Sequence, residues 1–170
     1  VTGVQTCALP ILRGRYLYRR SDSIDTNANL PVFFSPYEIR AHLASLTHFH
    51  TFSPSLTNEL RGAYTRYFSD YRINQYTFPN VDAFPNLTFR ELGLNVGPFF
   101  VLPQTDRSNT YQVTDNMARI RGRHSVKFGC DGRKLNRANF FVQRSRGDYQ
   151  YNTLERYLQD ITPEFATRST

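Results

Sequence analysis

The residues best placed to do chemistry are a set of imidazoles. His48-Phe49-His50 puts two of them on one side of an extended strand, and His42 falls on the same parity, so a metal site facing the interior of a sheet structure is geometrically conceivable. No acidic or thiol ligand joins them locally, and a polar strand surface accounts better for the pattern. Asp25, Asn27 and Asn29 have the alternate-oxygen spacing of a calcium loop, but the glycine and the closing glutamate of such loops are missing, and a loop turn is the better account. Cys7 and Cys130 stand far apart with no CxxC or metal-ligand spacing, which argues against a disulfide framework. Serine, histidine and aspartate occur in no order that pairs a nucleophile with a base, and neither a paired-carboxylate motif nor a glycine-rich phosphate loop stands out. The chain is therefore not expected to be an enzyme, and no catalytic residue, metal ligand or cofactor is assigned.

If chemistry does not explain the residue choice, the elements that carry it must. Among 170 residues only 39% are hydrophobic and Trp is absent, yet aromatics reach 15% through 14 Phe and 11 Tyr. Aromatics without aliphatics suggest strands whose apolar partner is not a protein core: a barrel wall between lipid and water, or a β-rich surface binder. The net charge of +7 raises nucleic acid, anionic lipid or lipopolysaccharide as a neighbour. Arg13, Arg40, Arg61, Arg90, Arg121 and Arg144 are spread along the chain and form no single basic tract, so nucleic acid is not the expected partner. No apolar run approaches the roughly 20 residues of a membrane-spanning helix, and a bilayer reading must be a β reading.

Val1–Ile11, VTGVQTCALPI, resembles the conceptual translation of a sequencing-library adapter of the kind that ends proteins predicted from metagenomic reads. It is set aside from fold reasoning, and residues 12–170 carry the rest. A barrel strand must alternate between two environments. In His124–Lys134, Val126, Phe128 and Cys130 share one parity while Ser125, Lys127, Asp131 and Arg133 share the other. In Ile39–Phe52, Ile39, Ala41, Leu43, Thr47 and Phe49 oppose Arg40, His42, His48 and His50. In Asn58–Phe68, Leu60, Gly62, Tyr64 and Phe68 oppose Glu59, Arg61, Thr65 and Tyr67, with Arg66 on the apolar side. Leu12–Arg20 sets Tyr16 and Tyr18 against Arg13, Arg15 and Arg19. Asn109–Ile120 is the least regular, because Tyr111, Val113 and Met117 share parity with Asp115 and Arg119, which implies either a bulge or a different register there.

Connections alternate in length. Ser53-Pro54-Ser55 and the Gly122 region are tight turns, whereas Ser21–Tyr37 and Arg72–Arg107 are long, rich in Pro, Asn and Phe, and too aperiodic for regular elements. Outer-membrane barrels show this alternation, with short turns on the periplasmic side and long loops outside. The expected fold is all-β: about five strands of a larger antiparallel up-and-down transmembrane barrel, with long extracellular loops and one short loop helix. That helix is capped by Asn152, carries Glu155 at its third position, and places Leu154, Tyr157, Leu158 and Ile161 at helical spacing until Pro163. Arg90, Phe99, Phe100, Arg146 and Tyr149 are the loop residues nominated for ligand contact. Arg61, Lys127, Asp131 and Arg133 are the strand residues expected to face the lumen.

Specific strings carry a resemblance. Thr51–Tyr67, TFSPSLTNELRGAYTRY, resembles the turn-and-strand signature of TonB-dependent receptor barrels, in particular the Oar-like subfamily with a carboxypeptidase-regulatory-like domain. Asn109–Gly129, NTYQVTDNMARIRGRHSVKFG, is similar to a hairpin of that family with a basic periplasmic turn. Phe84–Gly97 and Arg144–Pro163 resemble its loop segments. The resemblance implies a barrel of about 22 strands around a plug, importing an unidentified ligand with energy delivered by TonB. It implies outer-membrane lipid and lipopolysaccharide as surroundings, and contact with the TonB complex through a plug domain that is not found in these residues. The alternative is a soluble β-rich adhesin or carbohydrate-binding module, which would bury Val126, Phe128, Leu60 and Tyr64 between sheets.

Overall fold

A computed structural model describes residues 10–26, 28, 30–74 and 78–168. Five long strands form one sheet in the order β1-β2-β3-β6-β7: β1 Ile11–Asp25, β2 Ser35–Ser53, β3 Leu56–Tyr71, β6 Gln104–Arg121 and β7 His124–Phe141. The segments with period-two alternation are thus the long strands, each extended beyond the alternating stretch that revealed it. Chain neighbours in this sheet are antiparallel, and its two edges, β1 and β7, do not pair with each other. Pro54-Ser55 joins β2 to β3 and Gly122-Arg123 joins β6 to β7. Gly122 adopts φ 59, a conformation that glycine reaches without strain in a two-residue hairpin. The backbone N–H of Ile120 donates to the carbonyl of Ser55 at 2.8 Å, so both tight turns lie at the same end of the sheet. No helix among the described residues is long and apolar enough to cross a membrane.

The long connections correct the expectation that they hold no regular elements. β4 Asn86–Phe89, β5 Leu94–Val96, β8 Asp148–Tyr151 and β9 Phe165–Thr167 build a second sheet in the order β5-β4-β8-β9. β4 and β8 pair in parallel, Asn86 opposite Asp148 through Phe89 opposite Tyr151. Strands of three or four residues are too short to show a period, and the central β4–β8 pair joins segments far apart in the chain, Asn86 opposite Asp148, which no local pattern encodes. The helix α1 is also shorter than expected, Leu154–Leu158, and Thr153 caps it by accepting from the Arg156 N–H at 3.3 Å. Asn152 is not the cap; its side-chain oxygen accepts from Arg90 at 3.3 Å. Asp160 turns left-handed at φ 54, so the helix stops before Pro163 is reached.

By compactness the chain divides into two units. One takes the residues to Arg19 with Ala41–Tyr67 and Ser108–Arg137, and the other takes Arg20–Arg40, Phe68–Arg107 and the chain from Ala138. In the first unit no hydrophobic side chain is buried among the described residues. Its stability as a free body in water is therefore low, since burial of apolar surface is the main favourable term in folding. The second unit has a core. Phe33 ends a single 3-10 turn, Pro31–Phe33, and packs with Ala28 and Val81, flanked by Phe34, Ile73, Phe78, Phe84 and Val96. Phe33 stacks on Phe84 at 5.5 Å and meets the edge of Phe78 at 6.0 Å.

Candidate functional site

Two sets of residues can act on a partner: the faces of the strand unit and the irregular surface of the loop unit. In the strand unit, side-chain contacts sort residues by face. Tyr64 packs on Tyr111 at 5.1 Å and donates to the Asn109 side chain at 2.9 Å, and Asn58 holds Asp115. The even residues of β3 and the odd residues of β6 therefore share a face. Asp131 accepts from Gln112 and Thr114, each at 2.6 Å, so the even residues of β6 share the opposite face with the odd residues of β7. Leu60, Tyr64, Tyr111, Val113, Val126 and Phe128 thus lie on one side, and Arg61, Gln112, Thr114, Lys127, Asp131 and Arg133 on the other. The four residues nominated for the lumen are all on that polar face and all exposed. Arg61 pairs with Glu59 of its own strand at 2.6 Å.

Asn109–Ile120 proves to be an uninterrupted part of β6. Asp115 sits among apolar neighbours because Asn58 supplies its hydrogen bond, not because the strand bulges. Val126, Phe128 and Leu60 are 55%, 56% and 44% exposed, so the sandwich that would seal them between sheets is not what forms. β7 is exposed along both faces, and it is residue type, not burial, that separates its two sides.

The imidazoles need a correction. Alternation set Tyr16 and Tyr18 against the arginines of β1, and His42 on the polar side of β2. The structure joins them: the Tyr16 hydroxyl lies 2.9 Å from Nδ1 of His42, and the Tyr18 ring is 4.8 Å from the same imidazole. Alternation orders residues within a strand, whereas only the register between strands decides which parities share a face. His48 stacks on His50, which meets the edge of Phe52 at 4.3 Å. No group of three or more His, Cys, Asp or Glu side chains that could hold a metal is found among the described residues. Asn27 and Asn29 of the calcium-like spacing lie outside the described residues, as do Cys7 and the rest of residues 1–9.

In the loop unit a cavity of about 880 Å³ is lined by Ile24, Pro31, Phe34, Pro36, Ile73 and Pro103, with Arg72, Asn74, Asp82, Ser145 and Arg146 supplying polar groups. Of the five loop residues nominated for ligand contact, Arg146 alone lines it. Its terminal nitrogens donate to the carbonyls of Leu102 at 2.6 Å and Phe99 at 2.9 Å, and its buried Nε has no partner. Burial pulls this guanidinium below the usual arginine range, and the carboxylate of Asp82 opposes that effect. Phe99 meets Phe100 edge-on at 4.8 Å, and Arg144 lies over the Phe100 ring at 4.8 Å. Arg90 instead reaches Gln150 at 2.8 Å, and Tyr149 is half-buried within β8.

A buried polar knot underlies this surface. Asp148, wholly buried, accepts from Asn86 at 2.7 Å and from Arg144 at 3.0 Å, which secures the parallel β4–β8 pair. Arg72, Asp82, Ser145 and the Asn86–Asp148 pair carried no signal in the sequence, since they are ordinary loop residues until folding brings them together.

The two-faced hairpins and their paired short turns agree with what known proteins show. The family described as Outer membrane beta barrel domain matches residues 11–166. This chain belongs to that family. No curated protein and no solved structure matches the chain. An outer-membrane location goes with the family.

Proposed function

We propose that this chain is the membrane-spanning wall of a TonB-dependent outer-membrane transporter or receptor, integral to the bilayer, whose long connections contact an imported ligand. The observation that carries the integral reading is the sorting of faces: Val113, Val126 and Phe128 stand exposed on one side of the β6–β7 hairpin, and Asp131 accepts hydrogen bonds from both Gln112 and Thr114 on the other. Exposed apolar side chains aligned along a strand face are unfavourable in water and favourable in hydrocarbon. An open five-stranded sheet leaves two edges unpaired, which hydrocarbon cannot satisfy, so further strands must close the wall. The TonB-dependent part of the reading is supported by the resemblance of Thr51–Tyr67 and Asn109–Gly129 to receptors of that class. Binding falls to the loop unit, with Arg72, Asp82 and Arg146 at its cavity.

The test is made in cells. The protein should fractionate with outer membranes, resist extraction by alkaline carbonate and show heat-modifiable gel mobility. It should also crosslink to TonB while the inner membrane is energised. A heat-modifiable protein that never crosslinks to TonB would remove the transporter reading and leave the barrel. A protein released by carbonate would remove both.

A further inference from the structure

The tight turn between β6 and β7 has a composition that the barrel wall alone does not require. Between Asp115 and Asp131 the chain carries Arg119, Arg121, Arg123, His124 and Lys127 and no acidic residue. The two flanking carboxylates are engaged elsewhere, Asp115 by Asn58 and Asp131 by Gln112 and Thr114. Among the described residues no acidic side chain pairs with Arg119, Arg121 or Arg123, and all three are exposed. They border a single depression with Gly122, His124, Val126 and Phe128.

The register explains how cations and apolar side chains come to share it. Odd residues of β6 and even residues of β7 lie on one face, so Arg119, Arg121 and His124 continue the same column as Val113, Val126 and Phe128. Along β6 that column runs Val113, Asp115, which Asn58 engages, and Met117, and it becomes cationic at Arg119 and Arg121 as the turn is approached. An amphipathic gradient of this kind matches a bilayer boundary, where acyl chains give way to phosphates.

We propose that this turn is a binding site for the phosphate headgroups of anionic phospholipids in the periplasmic leaflet. The guanidinium groups of Arg119, Arg121 and Arg123 hold the phosphate, and Val126 and Phe128 contact the upper acyl chains. Arginine suits the role because its planar fork meets phosphate oxygens in pairs and its charge persists at all physiological pH values. The proposal rests on the barrel reading and assigns the partner chemistry of one turn within it.

The test uses the full protein in detergent, analysed by native mass spectrometry with phosphatidylglycerol and phosphatidylcholine supplied together. Phosphatidylglycerol should bind in preference, and added salt should weaken it. The triple variant Arg119→Gln/Arg121→Gln/Arg123→Gln should lose affinity for phosphatidylglycerol by about a hundredfold, from about fivefold for each cation near a membrane surface, with phosphatidylcholine unaffected. Arg90→Gln, in the loop unit, should retain the preference. A folded, heat-modifiable triple variant with undiminished preference would overturn the headgroup site and leave the barrel intact. Wild-type protein that inserts into no bilayer would sink the barrel reading and the site with it. Binding of duplex DNA as tight as that of phosphatidylglycerol, lost in the same variant, would overturn lipid as the partner in favour of nucleic acid.

Discussion

The two units of this protein solve the same problem with opposite means. The loop unit buries Phe33, Val81 and Ala28 together and satisfies Asp148 with Asn86 and Arg144, as a water-soluble domain does. The strand unit buries no hydrophobic side chain among its described residues, and it leaves Val113, Val126 and Phe128 more than half exposed. The first carries its own core, whereas the second has faces that only an outside medium can complete. The difference teaches that aromatic abundance has two destinations here, ring-on-ring packing in one unit and exposed strand faces in the other.

Mutations can break this comparison. The largest effect is expected for Phe33→Ala, which removes a ring packed between Phe78 and Phe84 and should destabilise the loop unit by about 3–5 kcal/mol, read as lost protease protection of residues 78–104. If hairpin protection falls equally, the two units are not independent. Next is Val113→Arg, which should cost about 2–4 kcal/mol for folding into bilayers if this face meets lipid near the midplane. Gln112→Arg, one residue away on the polar face, should change bilayer folding little. Equal costs in a urea titration on vesicles would erase the distinction between faces.

Asp148→Ala should cost about 1–3 kcal/mol, because it leaves the buried Asn86 amide and the Arg144 guanidinium without their acceptor. Hydrogen exchange of the β4–β8 amides would report it, and unchanged protection would show that the backbone ladder alone holds the sheet. The smallest effect is expected for Asp22→Asn. Its ion pair with Arg20 is more than half exposed on both sides, so the change should stay within about 0.5 kcal/mol. A larger loss on thermal unfolding would mean that this pair belongs to a more extended network.

How much could be read in advance follows the same division. The hairpins were legible because Val126, Phe128, Lys127 and Asp131 alternate over a long stretch, and because Pro54-Ser55 and Gly122-Arg123 punctuate the strands. The small sheet was not, since β4 and β8 are four residues each and meet only through long-range pairing. The cavity was legible at a single point, Arg146, while Arg72 and Asp82 gave no local signal. Arg90 and Tyr149 carry the charge and the ring expected of ligand-contact residues, but folding directs them to Gln150 and to the β8 strand. The Tyr16–His42 contact was hidden because alternation in each strand leaves their relative phase open.

By itself, the order of residues determined the β class, the positions of the long strands and tight turns, and the separation of apolar from charged side chains within each hairpin. These are local properties: a period of two needs only neighbours along the chain. Tertiary structure decided which parities share a face, which loop strands pair, how Asp148 is buried, and which cations gather beside Val126 and Phe128. Those outcomes depend on inter-strand register and on loop closure over tens of residues, and both are set by the summed contacts of distant segments.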